Sequence, residues 1–251
     1  MKDNTKVLKS ALPLYLEGDN KKAVLVLHGY NGYAGEMYEL ARRIHGEGYT
    51  VSVPRLPGHG TNGADFRKTN HRDWHSHAVN EYLNLKSRFD SVSVTGLSMG
   101  GVLSLLLAEQ FSPEKIILLA PAMSVSNRIF YLSPILRIFI RKIKRNWEPR
   151  PSDDDDRRFM GKEYWSYFFA SNIASLLKLI RKAQKSLGAI ECPVYIILSE
   201  KDGWISLDSG DLIQKGLNVP FRKVVLKNSP HVIVEGPEKE TVFENVCNWL
   251  K

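Results

Sequence analysis

Residues 91–102 read SVSVTGLSMGGV. The first half alternates as a strand does, and a Leu-rich stretch of helical character follows from Met99. Between the two, Ser98 is flanked by Gly96, Gly100 and Gly101. Glycine permits backbone conformations and close approaches that other residues resist, so the seam predicts a sharp strand-to-helix turn with a serine at its tip. Either the serine is an ordinary turn residue or the bend presents it as a nucleophile. A Gly-x-Ser-x-Gly pentad arises by chance in roughly one chain in ten of this length, so the rest of the chain must decide.

On both sides of this seam, short β-branched runs alternate with helical patterns. LPLYLEG (12–18) reads as an edge strand, and KKAVLVLHG (21–29) as a strand buried on both faces. A helix is expected over 35–46, a strand at YTVSVPR (49–55), a polar loop at 56–70 and a helix over 72–88. After the pentad come a helix over 99–111 and the strand KIILLAPA (115–122). Later segments are a strand at PVYIILSEKD (193–202), a helix at 207–217, a strand at FRKVVLKN (221–228) and a closing helix at 237–250. Such alternation predicts a mostly parallel sheet with helices on both faces. Residues 122–189 carry no convincing strand and read as a helical insertion. Within it, SDDDDRR (152–158) reads as a helix start, with Ser152 as N-cap and Asp153–Arg157 and Asp154–Arg158 as i,i+4 pairs.

The 251 residues suffice for one large domain with an insertion. No apolar run is long enough for a signal peptide or a membrane span, and Cys192 and Cys247 lie in apolar segments as buried thiols would. These features predict a cytoplasmic protein. The net charge of +8 raises the question of anionic partners. It is concentrated in residues 128–150, where Glu148 is the one acid. No nucleic-acid-binding motif accompanies it, so nucleic acid is not expected as a partner. His71, His75 and His77 lack the carboxylate or cysteine that would complete a zinc set nearby, so no metal is expected.

A serine hydroxyl needs a base to take its proton, and the base needs a partner to hold its tautomer. At a strand-to-helix turn of this kind the order is Ser, acid, His, each at the end of a strand. Of seven histidines only His231 follows Ser98, in the loop directly after FRKVVLK. The acid should end the preceding strand, where Asp202 is the choice and Glu200 the runner-up. An oxyanion needs two donors: the N–H after the nucleophile, on Met99, and one from the loop His28-Gly29-Tyr30-Asn31-Gly32, on Tyr30. His28 reads as a brace for that loop. His59, in Pro57-Gly58-His59-Gly60, borders the site or shapes a loop.

With HGYNG at 28–32, PRLPGHGT at 54–61, TGLSMGG at 95–101, LSEKD at 198–202 and SPH at 229–231, the sequence resembles the α/β-hydrolase superfamily. Within it, it looks most like small bacterial carboxylesterases and monoacylglycerol lipases. The resemblance implies an α/β-hydrolase fold with a helical cap inserted after the sixth strand. Residues 1–121 and 190–251 would form the catalytic domain and residues 122–189 the cap. It implies a Ser98–Asp202–His231 triad, an oxyanion hole from the Tyr30 and Met99 N–H groups, a small-molecule ester substrate and no cofactor.

The cap is rich in Ile, Leu and Phe beside scattered arginines. Ile135 and Phe139 are candidates to wall an acyl site, and Glu163 either reaches a substrate hydroxyl or is exposed at the surface. The same basic, apolar stretch either touches an anionic membrane surface or packs on the sheet domain. Three functions are carried forward: a monoacylglycerol or short-to-medium-chain esterase, a feruloyl-type aryl esterase, and a binding protein that kept the fold without the chemistry.

Overall fold

The structure, a computed structural model, describes residues 6–151 and 153–251. In chain order its first elements are β1 (Leu14–Leu16), β2 (Lys22–Leu27), α1 (Tyr38–His45), β3 (Thr50–Val53), α2 (Gly63–Lys68), α3 (His71–Lys86), β4 (Ser91–Leu97), α4 (Met99–Phe111) and β5 (Ile116–Leu119). There follow α5 (Ser133–Leu136), β6 (Lys142–Lys144), α6 (Asp155–Met160), β7 (Tyr167–Phe169) and α7 (Ala170–Ser186). The chain closes with β8 (Val194–Ser199), α8 (Asp208–Gly216), β9 (Phe221–Leu226) and α9 (Lys239–Leu250).

Seven strands form one sheet in the order β1-β3-β2-β4-β5-β8-β9, parallel except for β1, which runs antiparallel to β3. The near-continuous apolar runs follow from burial on both faces, because successive side chains of a strand point to opposite sides. Ala23, Leu25 and Leu27 of β2 join the core shared with α3, α4 and α7, while Val24 and Val26 join the core shared with α1 and α9. Ile116 and Leu118 of β5, and Ile196 and Leu198 of β8, point to the first core, and Ile117, Leu119 and Ile197 to the second. Helix α4 is apolar all round because it is buried throughout Met99–Ala108.

Several expectations need correction. Five strands precede residue 122, because only five segments before it pair into the sheet, so the insertion follows the fifth strand and not the sixth. The insertion is not purely helical: Lys142–Lys144 and Tyr167–Phe169 pair as an antiparallel two-stranded ribbon. Three-residue strands leave no readable alternation. The loop at 56–70 contains α2, started by Asn62, whose side chain accepts hydrogen bonds from the Ala64 and Asp65 N–H groups. Ser152 lies outside the described residues. The N-cap of α6 is Asp154, whose carboxylate accepts from Arg157 N–H, so it is occupied there and makes no ion pair with Arg158 among the described residues. The Asp153–Arg157 pair does form, at 3.1 Å. Within the insertion, α7 lies against α4 and shares its core, whereas residues 128–145 stay largely exposed.

Candidate active site

At the carboxyl end of β4 the chain turns sharply into α4. Ser98 stands at the tip with φ 56° and ψ −111°, a conformation that costs a non-glycine residue about 1–3 kcal/mol. Its neighbours have to be glycines for steric reasons. A Cβ on Gly96 would lie 2.2 Å from the Gly100 backbone, and one on Gly100 would lie 2.2 Å from the Leu27 carbonyl oxygen. Gly101 sits against Pro121, where a Cβ would come within 3.0 Å. The Ser98 N–H donates to the Leu119 carbonyl, which pins the turn to the end of β5.

His231 lies in the loop after β9, and Asp202 in the turn after β8. His231 Nδ1 is 2.7 Å from Asp202 Oδ2, and the carboxylate is buried. Asp202 Oδ1 accepts from the Trp204 and Ile205 N–H groups at 2.8 and 2.9 Å. This leaves the carboxylate one oxygen for the imidazole and fixes its orientation. Glu200 pairs instead with Lys227 at the surface. The loop bearing His231 is clamped by Glu238, whose carboxylate accepts from the Lys227 and Asn228 N–H groups and from the Ser229 hydroxyl. These bonds hold the Glu238 carboxyl below its ordinary pKa, the Ser229 hydroxyl contributing most.

Ser98 and His231 face one cavity of about 240 Å³, together with Gly29, Tyr30, Asn31 and Gly32 of the loop after β2. That loop passes close to the serine, since a Cβ on Gly29 would stand 3.3 Å from Ser98 Cβ. The Tyr30 ring packs edge-on against Phe66 and Trp74 beneath it. Met99 opens α4, where a helix leaves its first N–H groups without an i−4 partner. His28 braces the loop: its Nε2 accepts from Leu56 N–H and its Nδ1 lies 3.0 Å from the Gly29 carbonyl. Burial lowers its pKa to about 4, so the ring is neutral.

Four of the sequence candidates lie elsewhere. His59 is buried beneath the site, edge-on to His28 and Phe66, and does not line the cavity. Glu163 lines a separate groove with Arg67, Arg141 and Tyr167. Ile135 and Phe139 are 62% and 81% exposed and do not line the cavity.

The walls come from residues the sequence did not single out. Phe130, Phe168 and Trp204 cluster at one end, with the Arg145 guanidinium 4.4 Å from the Trp204 ring centre. At the other, Trp165 arrives on a π-helical turn (Gly161–Trp165), and its Nε1 donates to the Asn31 carbonyl at 2.6 Å, tying the cap to the loop after β2. Trp147 lies flat on Gly161, where any Cβ would strike its ring. Beside them Arg157 and Glu235 form a two-toothed pair at 3.0 and 2.8 Å, and Glu36 is buried next to it. Of these, Trp204 and Glu235 were the most findable, two residues after Asp202 and four after His231.

Comparison with known proteins gives the family. The profile of the Alpha/beta hydrolase family matches residues 24–242. The chain is 30% identical to a thermostable monoacylglycerol lipase of Bacillus sp. (strain H-257), over 100% of this chain and 98% of that one. It is 25% identical to a carboxylesterase of Bacillus subtilis (strain 168), over 95% and 96% of the two chains. Among solved structures, a metagenome-derived lipolytic enzyme superposes with a TM-score of 0.87 at 28% identity, over 97% of this chain and 98% of the other. The Paleococcus ferrophilus monoacylglycerol lipase superposes at 0.77 with 17% identity, over 95% and 97%, a likeness of fold. By this family match and the full-length kinship, the chain belongs to the alpha/beta hydrolase family.

Proposed function

We propose that this carboxylic-ester hydrolase works through a Ser98–His231–Asp202 triad and an acyl-enzyme, on monoacylglycerols or short-to-medium-chain acyl esters. What carries the reading is one juxtaposition: a serine on a strained turn and a histidine held by a buried carboxylate line the same small cavity. Asp202 fixes the proton on His231 Nδ1 and leaves Nε2 to receive the Ser98 proton as Oγ attacks the ester carbonyl. The N–H groups of Tyr30 and Met99 hold the oxyanion. His231 then returns the proton to the leaving alcohol, and water releases the acid by the same route. The relatives named monoacylglycerol lipase and carboxylesterase support the substrate class. A fluorophosphonate probe tests the mechanism: wild type labels, and Ser98→Ala is folded and unlabelled. A folded wild type that stays unlabelled sinks it and favours a non-catalytic binder.

A second reading, an aryl esterase, is favoured by the aromatic wall of Phe130, Trp147, Trp165, Phe168 and Trp204. A panel of glyceryl, alkyl and hydroxycinnamoyl esters separates the two by kcat/KM. The cap, taken as residues 122–189, is also proposed to touch anionic membrane surface. In support, Ile129, Ile135, Ile138 and Phe139 are exposed among Arg128, Arg137, Arg141 and Lys142. Among the described residues no helix is long and apolar enough to cross a membrane. Co-sedimentation with anionic but not neutral vesicles is the expected result, and equal binding to both rules the contact out.

A further inference from the structure

Glu36 is a buried carboxyl that the triad does not use. It follows the loop after β2 and lines the same cavity as Ser98. Its Oε2 rests against Gly32, so close that a Cβ there would stand 2.4 Å away. The nearest cation is committed elsewhere: Arg157 makes the two-toothed pair with Glu235, and its Nε lies 3.1 Å from Asp153. Among the described residues Glu36 makes no ion pair, although burying an ionisable group without a partner is costly. Nearby in the same loop, Asn31 Oδ1 is buried without a hydrogen-bond partner. A buried carboxyl without an ion pair thus lines a largely aromatic cavity, next to the loop expected to hold the oxyanion.

We propose that Glu36 recognises a free hydroxyl on the alcohol part of the substrate, so that the enzyme selects esters of polyhydric alcohols over simple alkyl esters of the same acid. The inference rests on the hydrolase mechanism above. A hydroxyl suits this wall better than a charged group. A cation would meet Arg157 and Arg150, and an anion would meet Glu235, whereas a hydroxyl can both give and take a hydrogen bond. Burial, then the neighbouring Glu235 charge, raises the Glu36 pKa to about 8, against the opposing pull of Arg157, the Tyr33 backbone and Arg150. At neutral pH the group is therefore a carboxylic acid with one donor and one acceptor.

The test is the ratio of kcat/KM for a 1-monoacylglycerol to that for the methyl ester of the same acid. Wild type is expected to prefer the glyceryl ester. Glu36→Leu should lower the ratio about tenfold, the scale of a lost hydrogen bond to a buried partner. Glu36→Gln, which keeps a donor and an acceptor, should hold it within a few-fold. Overall losses from misfolding cancel in the ratio. Should the Leu variant not fold, the pH profile decides: the wild-type ratio changes as pH rises through about 8, and the Gln variant's ratio stays flat. No wild-type preference, an unchanged ratio in Glu36→Leu, or matching pH profiles for wild type and Gln overturn the proposal. Fluorophosphonate labelling of Ser98, read in parallel, distinguishes that result from failure of the hydrolase mechanism itself.

Discussion

His231 Nδ1 stands 2.7 Å from Asp202 Oδ2, and the other oxygen of that carboxylate is held by two backbone N–H groups of the turn that follows it. An amide cannot serve both sides, because its NH₂ end must face either a ring N–H or two backbone donors. Asp202→Asn is therefore expected to lower kcat by on the order of 10⁴ while the protein stays folded by circular dichroism. Glu200→Gln, which loses only an exposed pair with Lys227, should stay within a few-fold of wild type. Activity that survives the first change and collapses with the second would move the acid to Glu200.

The elbow makes a steric prediction. Gly100→Ala drives a methyl group to 2.2 Å from the Leu27 carbonyl and pushes the start of α4 off β2. A loss of about 1–3 kcal/mol is expected, read by urea denaturation, together with loss of probe labelling. Gly203→Ala is the control, since a Cβ there meets nothing within 4 Å. Equal midpoints for the two variants would contradict the packing.

Buried histidines and a buried carboxyl give stability opposite pH slopes. Burial depresses the His28 pKa to about 4, with His59 pushed well down by the same cause. The unfolded state binds more protons below the ordinary histidine value of 6.5. The His28 contribution is thus full above pH 6.5 and is lost as pH falls through about 4, and His59 acts in the same direction. Glu36 is raised to about 8, so its contribution is full below the ordinary 4.5 and is lost as pH rises through about 8. Thermal melts across this range should show Glu36→Gln gaining on wild type from about pH 4.5 to about 8 and levelling off above it. Parallel curves would show that Glu36 ionises freely in the folded protein.

Ile135 and Phe139 lie outside the cavity, on the exposed basic side of the cap. Replacing both by Ser should leave kcat/KM for a soluble short-chain ester within about twofold, as surface changes do, and should reduce sedimentation with anionic vesicles. A large loss on the soluble ester would mean that they reach the substrate after all.

The alternating β-branched runs announced a parallel sheet, because a strand buried on both faces must be apolar on both. The order Ser98, Asp202, His231 was legible because each residue ends or follows such a strand, and the clearance glycines stood beside the serine. Contacts between segments far apart in sequence were not legible. Nothing local in Glu36 tells that it is buried, for Trp165, Arg157 and Glu235, distant in sequence, line the same cavity. The same holds for Ile135 and Phe139, apolar residues whose exposure nothing local announces. Strand patterns and turn chemistry are written over a few neighbouring residues, and the sequence by itself determined those. The lining of the cavity is decided by which distant side chains the fold brings around Ser98, and that required the tertiary structure.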